Sequence, residues 1–228
     1  MKDMSLSCVS IIRKIYQRNM PAKLRRYVHE SPSPVAQAAR RLRTWLNLRR
    51  SNNEIYNASY FATEVEPGAV AFAPMIVESI IQQFRPRSVV DVGCGTGAML
   101  EQFQSNGISC LGIENAPAAL KYLVERKIRF IEFDLTTNLS LPVVSADIAL
   151  SVEVAEHLPA SADERLVRLL CSISRTVIFT AAHPGQGGTG HINEQSSEYW
   201  ENKFRIMGFE CNHDATEQLR HRWENGHF

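Results

Sequence analysis

No two of the chain's five cysteines (Cys8, Cys94, Cys110, Cys171, Cys211) stand in a CxxC pair, and their number is odd. That scatter excludes a zinc ribbon and argues against a disulfide framework, so a reducing, cytoplasmic setting is expected. No apolar run approaches the roughly 18 residues of a membrane span. The apolar patch near the N-terminus is cut by Arg13 and Lys14, short of a signal-peptide core. There is also little net charge, only +1 over 228 residues, and no internal repeat. A soluble globular chain, long enough for one α/β domain and an appendage, is what remains.

The small net charge hides an asymmetry. Residues 1–50 hold 12 Lys/Arg against Asp3 and Glu30, leaving 13 basic and 22 acidic residues for the rest. The sequence predicts a basic helical N-terminal extension over 1–70, with amphipathic helices at 5–29 and 34–50 split by SPSP at 31–34. Such an arm suits a solvated extension, a membrane-surface contact or a nucleic-acid contact. The acidic body over 71–228 argues against a large nucleic-acid surface.

From about residue 74 the pattern becomes regular. Pro74 stands where a helix could start. Buried-type strands are expected at SVVDV (88–92), SCLGIE (109–114), RFIEFDL (129–135), ADIALSVE (146–153), TVIFTAA (176–182) and near FEC (209–211). Helices are expected over 98–104, from Pro117 to about Arg126, over 160–173 and over 196–207. Strands alternating with helices imply βαβ units and a mostly parallel sheet whose ligands sit beyond the strands' carboxyl ends.

Two glycine-rich stretches compete for a ligand: DVGCGTG at 91–97 and HPGQGGTGH at 183–191. The first follows a strand and opens a helix, where glycine permits close approach and unpaired N–H groups attract an anion. Its glycines also satisfy a loose dinucleotide fingerprint, so its neighbours must discriminate. Glu114 ends the second strand 23 residues after Asp91, where a carboxylate can accept ribose hydroxyls, and Asp134 ends the third, placed to meet an adenine amino group. The second stretch has no helix directly after its glycines and no such carboxylate. It reads as a lid over the pocket, with His183 as an anchor and His191 as the histidine better placed for chemistry.

The series DVGCGTG, GIE, FDL and SVEVAEHLP strongly resembles the class I S-adenosylmethionine-dependent methyltransferases over roughly residues 70–211. The resemblance implies a Rossmann-like three-layer sandwich with the cofactor, S-adenosyl-L-methionine, across the first, second and fourth strands. By the same resemblance, Gly93, Cys94, Gly95 and Gly97 would line its methionine portion, with Asp91 near the amino group. Glu114 would hold the ribose, Asp134 and Leu135 the adenine, and Glu153 would face the methionine end. Cys94 reads as a small filler, not a nucleophile. AAHPGQGGTGHINEQSSEYWENKF looks like a bacterial subgroup of unassigned substrate.

Glu153-Val154-Ala155-Glu156-His157 brings two carboxylates and an imidazole to the ligand end of the sheet. Three readings stay open. Glu156 and His157 could shape the pocket. His157, with His191 or Glu156, could take a proton from an acceptor hydroxyl. Or Glu153, Glu156, His157 and His191 could ligate Mg²⁺, Mn²⁺ or Zn²⁺, an arrangement resembling small-RNA 2′-O-methyltransferases and ubiquinone-pathway O-methyltransferases. The expected activity is O-methylation of a small-molecule, saccharide or natural-product hydroxyl. The alternatives are a cofactor-binding but inactive assembly protein and an RNA 3′-end 2′-O-methyltransferase. After FEC the chain is polar, so the family's closing strand is expected to be missing or atypical. The edge so exposed would be open to the arm or to a second chain, as in a homodimer.

Overall fold

The run Ser88–Val92 (β1) is four-fifths buried and ends at Gly93, whose φ of +78° turns the chain as few side chains allow. That combination places a central strand ahead of a ligand loop. The computed structural model describes residues 52–138 and 140–225. The two amphipathic segments expected at 5–29 and 34–50 lie outside them.

Around β1 stand Ser109–Glu114 (β2), Phe130–Glu132 (β3), Ile148–Val152 (β4) and Val177–Thr180 (β5), in the order β3-β2-β1-β4-β5, with every pairing parallel. Parallel neighbours require crossover connections, and helices supply them on both faces. On one face lie α3 (Glu66–Phe84) and α4 (Ala98–Ser105), whose Ile80, Leu100 and Phe103 are fully buried. Each such side chain contributes about 1.5–3 kcal/mol by leaving water. On the other face α6 (Asp163–Ile173) and α7 (Ser197–Ile206) bury Leu166, Leu169, Leu170 and Trp200. Between them in sequence, α5 (Pro117–Glu125) links β2 to β3.

The helical path begins with two short pieces, α1 (Asn52–Ile55) and α2 (Ala58–Tyr60), and a π-helical turn over Phe61–Val65. It then enters α3, which runs across the expected boundary at residues 70 and 71. Pro74 does not start that helix. It lies inside it, and Pro67 holds the first-turn position where a missing N–H costs nothing.

The expected sixth strand at 209–211 is not formed. Gly208, at φ +81°, ends the turn after α7, and the Asn212 side chain accepts from the Ala215 amide to start α8 (His213–Asn225). Leu219 and Trp223 of α8 are buried against the α3 face, and the Trp223 indole donates to Ser79 Oγ at 2.6 Å. Among the described residues no strand follows β5, which is the edge of the described sheet. The carbonyls of Thr176 and Thr180 accept from Ala149 and Glu153 on the β4 side. Alternation therefore turns the backbone groups of Val177 and Phe179 outward, into a groove of about 430 Å³ between α7 and α8.

Candidate active site

The turn after β1 is built for close approach. A Cβ on Gly93 would lie 2.5 Å from Val154 Cγ2, and one on Gly112 of β2 would lie 2.6 Å from Cys94 Sγ. Cys94 thus fills the space that Gly112 leaves, and burial raises its thiol well above the ordinary value, which suits a filler. Gly97 directly precedes α4 in a left-handed conformation, so the helix N-terminus faces the pocket. Arg126 staples the turn from outside. It donates to the Thr96 carbonyl at 3.1 Å and pairs with Glu66 at 2.5 Å and Glu101 at 3.0 Å.

Two carboxylates sit under and beside this turn. Glu114 accepts from Gly95 N at 2.8 Å, Asn115 N at 2.7 Å and Ala116 N at 2.8 Å, so its position is set by main chain. Asp91 is fully buried, and neither of its oxygens has a hydrogen-bond partner. Burial, and then the charge of Glu114, pushes its carboxyl up to about 7. A buried polar group left without a partner costs about 1–3 kcal/mol, and an incoming cationic amine would remove that cost.

Above the turn is a pocket of about 250 Å³, lined by Gly93, Cys94, Gly95, Glu114, Glu153 and His157 among the expected residues. Asp91, Gly97, Asp134, Leu135, Glu156 and His191 stand outside that lining. Asp134 Oδ1 instead accepts from the amide and hydroxyl of Thr136. The roof comes from a segment that carried no motif: Tyr56, Tyr60, Phe61, Val65 and Phe72 face the pocket. No described lysine or arginine lines it.

At the pocket's far end the ExxEH stretch becomes a 3₁₀ turn, Ala155–His157. Glu153 precedes it at φ +54°, a strained conformation for a side-chain residue. Thr180 donates to its Oε1 at 2.9 Å and Gln186 to its Oε2 at 3.4 Å. The second glycine stretch folds back over this turn because the amides of Ile192 and Asn193 both donate to the Glu156 carbonyl, at 2.8 and 3.1 Å. His191 is thereby brought to the cluster. Its ring meets that of His157 edge-on with centroids 4.9 Å apart, and its Nε2 lies 4.0 Å from Glu156 Oε1. One donor atom each from Glu156, His157 and His191 falls within 4.8 Å of the others. Glu153, expected as a fourth ligand, is not in that group.

The cluster's electrostatics follow from burial. Glu156 is fully buried, no hydrogen bond of ordinary length reaches its oxygens, and burial followed by Glu153 raises its carboxyl well above the usual range. Burial, then His191, pushes His157 down to about 3, so its imidazole is neutral at physiological pH. Tyr56 Oη lies 3.1 Å from His157 Nδ1, and burial, then Glu156, raises its phenol. Beyond His191, Glu194 Oε1 meets its Nδ1 at 2.9 Å. Burial raises the Glu194 carboxyl, but hydrogen bonds from His191, Gly185 and Gly187 outweigh it and the net shift is downward. Tyr56, Gln186, Glu194 and Arg126 were not among the expected site residues.

A parallel sheet ordered 3-2-1-4-5, with a glycine turn after β1 and an acid at the end of β2, defines a Rossmann-like α/β domain. Residues 90–178 match the family described as "Methyltransferase domain". That match covers less than half of the chain, and the architecture is the Rossmann-like methyltransferase fold. Solved structures share its fold. A SAM-dependent methyltransferase from Archaeoglobus fulgidus aligns at TM-score 0.52 and 21% identity over 67% of this chain and 74% of that one. The DhpI–SAH complex aligns at 0.53 and 16% over 72% and 91%. PigF with SAH aligns at 0.55 and 17% over 77% and 62%. No curated protein matches the sequence. No described helix is long and apolar enough to cross a membrane.

Proposed function

We propose that this methyltransferase acts on a hydroxyl group of a small molecule, a saccharide or a natural product, with Glu156, His157 and His191 as the acceptor-side machinery. The observation that carries the reading is the convergence of a buried carboxylate and two imidazoles beside the cofactor pocket. The pocket is roofed by aromatic side chains, and no described lysine or arginine lines it. Those features suit an uncharged acceptor.

The residues present fit the cofactor: Asp91 is an unpartnered buried acid for its amine, Gly93–Gly97 a main-chain cradle, and Glu114 a fixed carboxylate for its ribose. Bound there, the sulfonium supplies an activated methyl group. The protein's task is alignment, which can supply on the order of 7–11 kcal/mol, and proton removal. As the acceptor oxygen gains the methyl and the carbon–sulfur bond breaks, the hydroxyl proton passes to the Glu156–His157–His191 cluster. Burial, then Glu153, disfavours the charged form of Glu156, so the imidazole of His191 beside it is the group that takes the proton. His157 is a weak base alone, and a neutral imidazole serves better as a ligand or acceptor. The donor set, one carboxylate and two imidazoles, also fits Mg²⁺, Mn²⁺ or Zn²⁺, held by Glu156, His157 and His191, which would supply Lewis acidity to the hydroxyl.

The test uses labelled S-adenosylmethionine and matched alcohol, phenol, sugar and amine acceptors, with added Mn²⁺ or EDTA. Transfer to hydroxyls, lost in His157→Ala while SAH binding is kept, is the expected result. Transfer to amines alone, or full activity in His157→Ala, would overturn it.

A further inference from the structure

The cluster explains why His191 comes to the site but not what fixes its ring. Three donors converge on one side chain. Glu194 Oε2 accepts from Gly185 N at 2.8 Å, and Oε1 accepts from Gly187 N at 2.5 Å and meets His191 Nδ1 at 2.9 Å. Main-chain amides can only donate, so both oxygens act as acceptors, and a carboxylate in that state leaves the third contact to an Nδ1–H donor. A neutral His191 is then the Nδ1–H tautomer, with the Nε2 lone pair on the side of Glu156. The ring lies in the space that Gly188 leaves open: a Cβ there would stand 2.0 Å from Nε2.

The same carboxylate therefore ties together two things separated in sequence. It holds the glycine stretch by its amides and the imidazole by its proton. The remaining polar residues of the motif anchor the frame: Asn193 donates to Asp163 at 2.8 Å, and Gln195 donates to Asn193 at 2.9 Å.

We propose that Glu194 is a positioning residue for methyl transfer: it sets His191 in the Nδ1–H tautomer and latches the Gly185–Gly188 loop over the Glu156–His157–His191 cluster. This rests on the proposed function of that cluster. The general physics is that of an outer carboxylate orienting an imidazole, whose loss typically costs about 10–100-fold in metal affinity or activity. The loop adds a mechanical consequence, since loosening the latch frees both ends together.

The test is made on the whole chain in EDTA, with ¹⁵N-labelled histidine. Long-range ¹H–¹⁵N spectra of the wild type should show His191 protonated at Nδ1 and bare at Nε2; the Nε2–H form in the wild type overturns the proposal outright. Glu194→Ala should shift His191 toward Nε2–H and leave SAH affinity within about 3-fold. Glu194→Gln keeps one acceptor but turns an amide toward Gly185, so the tautomer should hold while hydrogen exchange at Gly185 accelerates. An unchanged tautomer in the alanine variant, or unchanged Gly185 exchange in the glutamine variant, also overturns it. Titration with Mn²⁺ alone separates the two readings. Binding by the wild type that falls about 10–100-fold in Glu194→Ala supports both. No binding by the wild type removes the cation from the proposed function, while the tautomer still decides the role of Glu194.

Discussion

Tyr56 and His157, 101 residues apart in the chain, meet through Oη and Nδ1 at 3.1 Å and close the pocket between the roof and the ExxEH turn. Their rings also stand edge-on, with centroids 5.7 Å apart. Tyr56→Phe keeps the ring and removes a hydrogen bond worth about 1 kcal/mol. Turnover on an acceptor should fall about 5-fold while SAH affinity stays nearly constant. Equal losses in both would place Tyr56 on the cofactor instead.

Asp91 gives the apoprotein a pH dependence. Its folded value, about 7, lies above the ordinary 3.8. The stability it contributes is therefore fully present below about 4 and is lost as pH rises through about 7. Apoprotein melting temperature should drop across that window, and Asp91→Asn should flatten the drop. SAH affinity should rise over the same window in the wild type, because the amine prefers the ionised acid. A wild-type melting curve flat between pH 5 and 8 would contradict this assignment.

Two glycines should respond differently to the same substitution. A Cβ on Gly188 collides with His191 Nε2, whereas one on Gly208 meets nothing within 4 Å. Gly188→Ala should displace the imidazole and reduce turnover at least 10-fold. Gly208→Ala should cost only the strain of a positive φ, about 1 kcal/mol of stability, with turnover unchanged. Thermal melts and initial rates on both variants check the contrast.

Trp223 tests the C-terminal helix. Removing a buried tryptophan costs about 3–5 kcal/mol, roughly 10 °C or more in melting temperature for a chain of this size. Ser79→Ala, which strands the indole N–H, should cost less, about 1–3 kcal/mol. If Trp223→Ala melted like the wild type, α8 would contribute nothing to the fold.

Much of the sheet was legible. β1 and β2 were read to the residue, because each apolar run ends in a feature with its own physics, Gly93 or the polar Glu114-Asn115. FEC misled, since three alternating residues carry no information about whether a partner strand is there to pair with. α8 was missed for the opposite reason: its buried stripe is little more than Leu219 and Trp223 in an otherwise polar run. The glycine turn after β1 could be recognised locally, but the roof above it could not. Nothing in NNEIYNASYFATEV signals that Tyr56 will meet His157. Glu194 had a faint signal, lying three residues after His191, yet its bonds to Gly185 and Gly187 depend on how a loop folds.

The open flank of β5 bears on where the chemistry is stored. Every described residue that lines the pocket hangs from β1, β2, β4 or the helical roof, and β5 adds support through Thr180 at the Glu153 carboxylate. Strands could be appended beyond β5, or deleted there, without shifting any of those attachments. The geometry of the pocket and the outer flank of the sheet are thus decoupled in this fold.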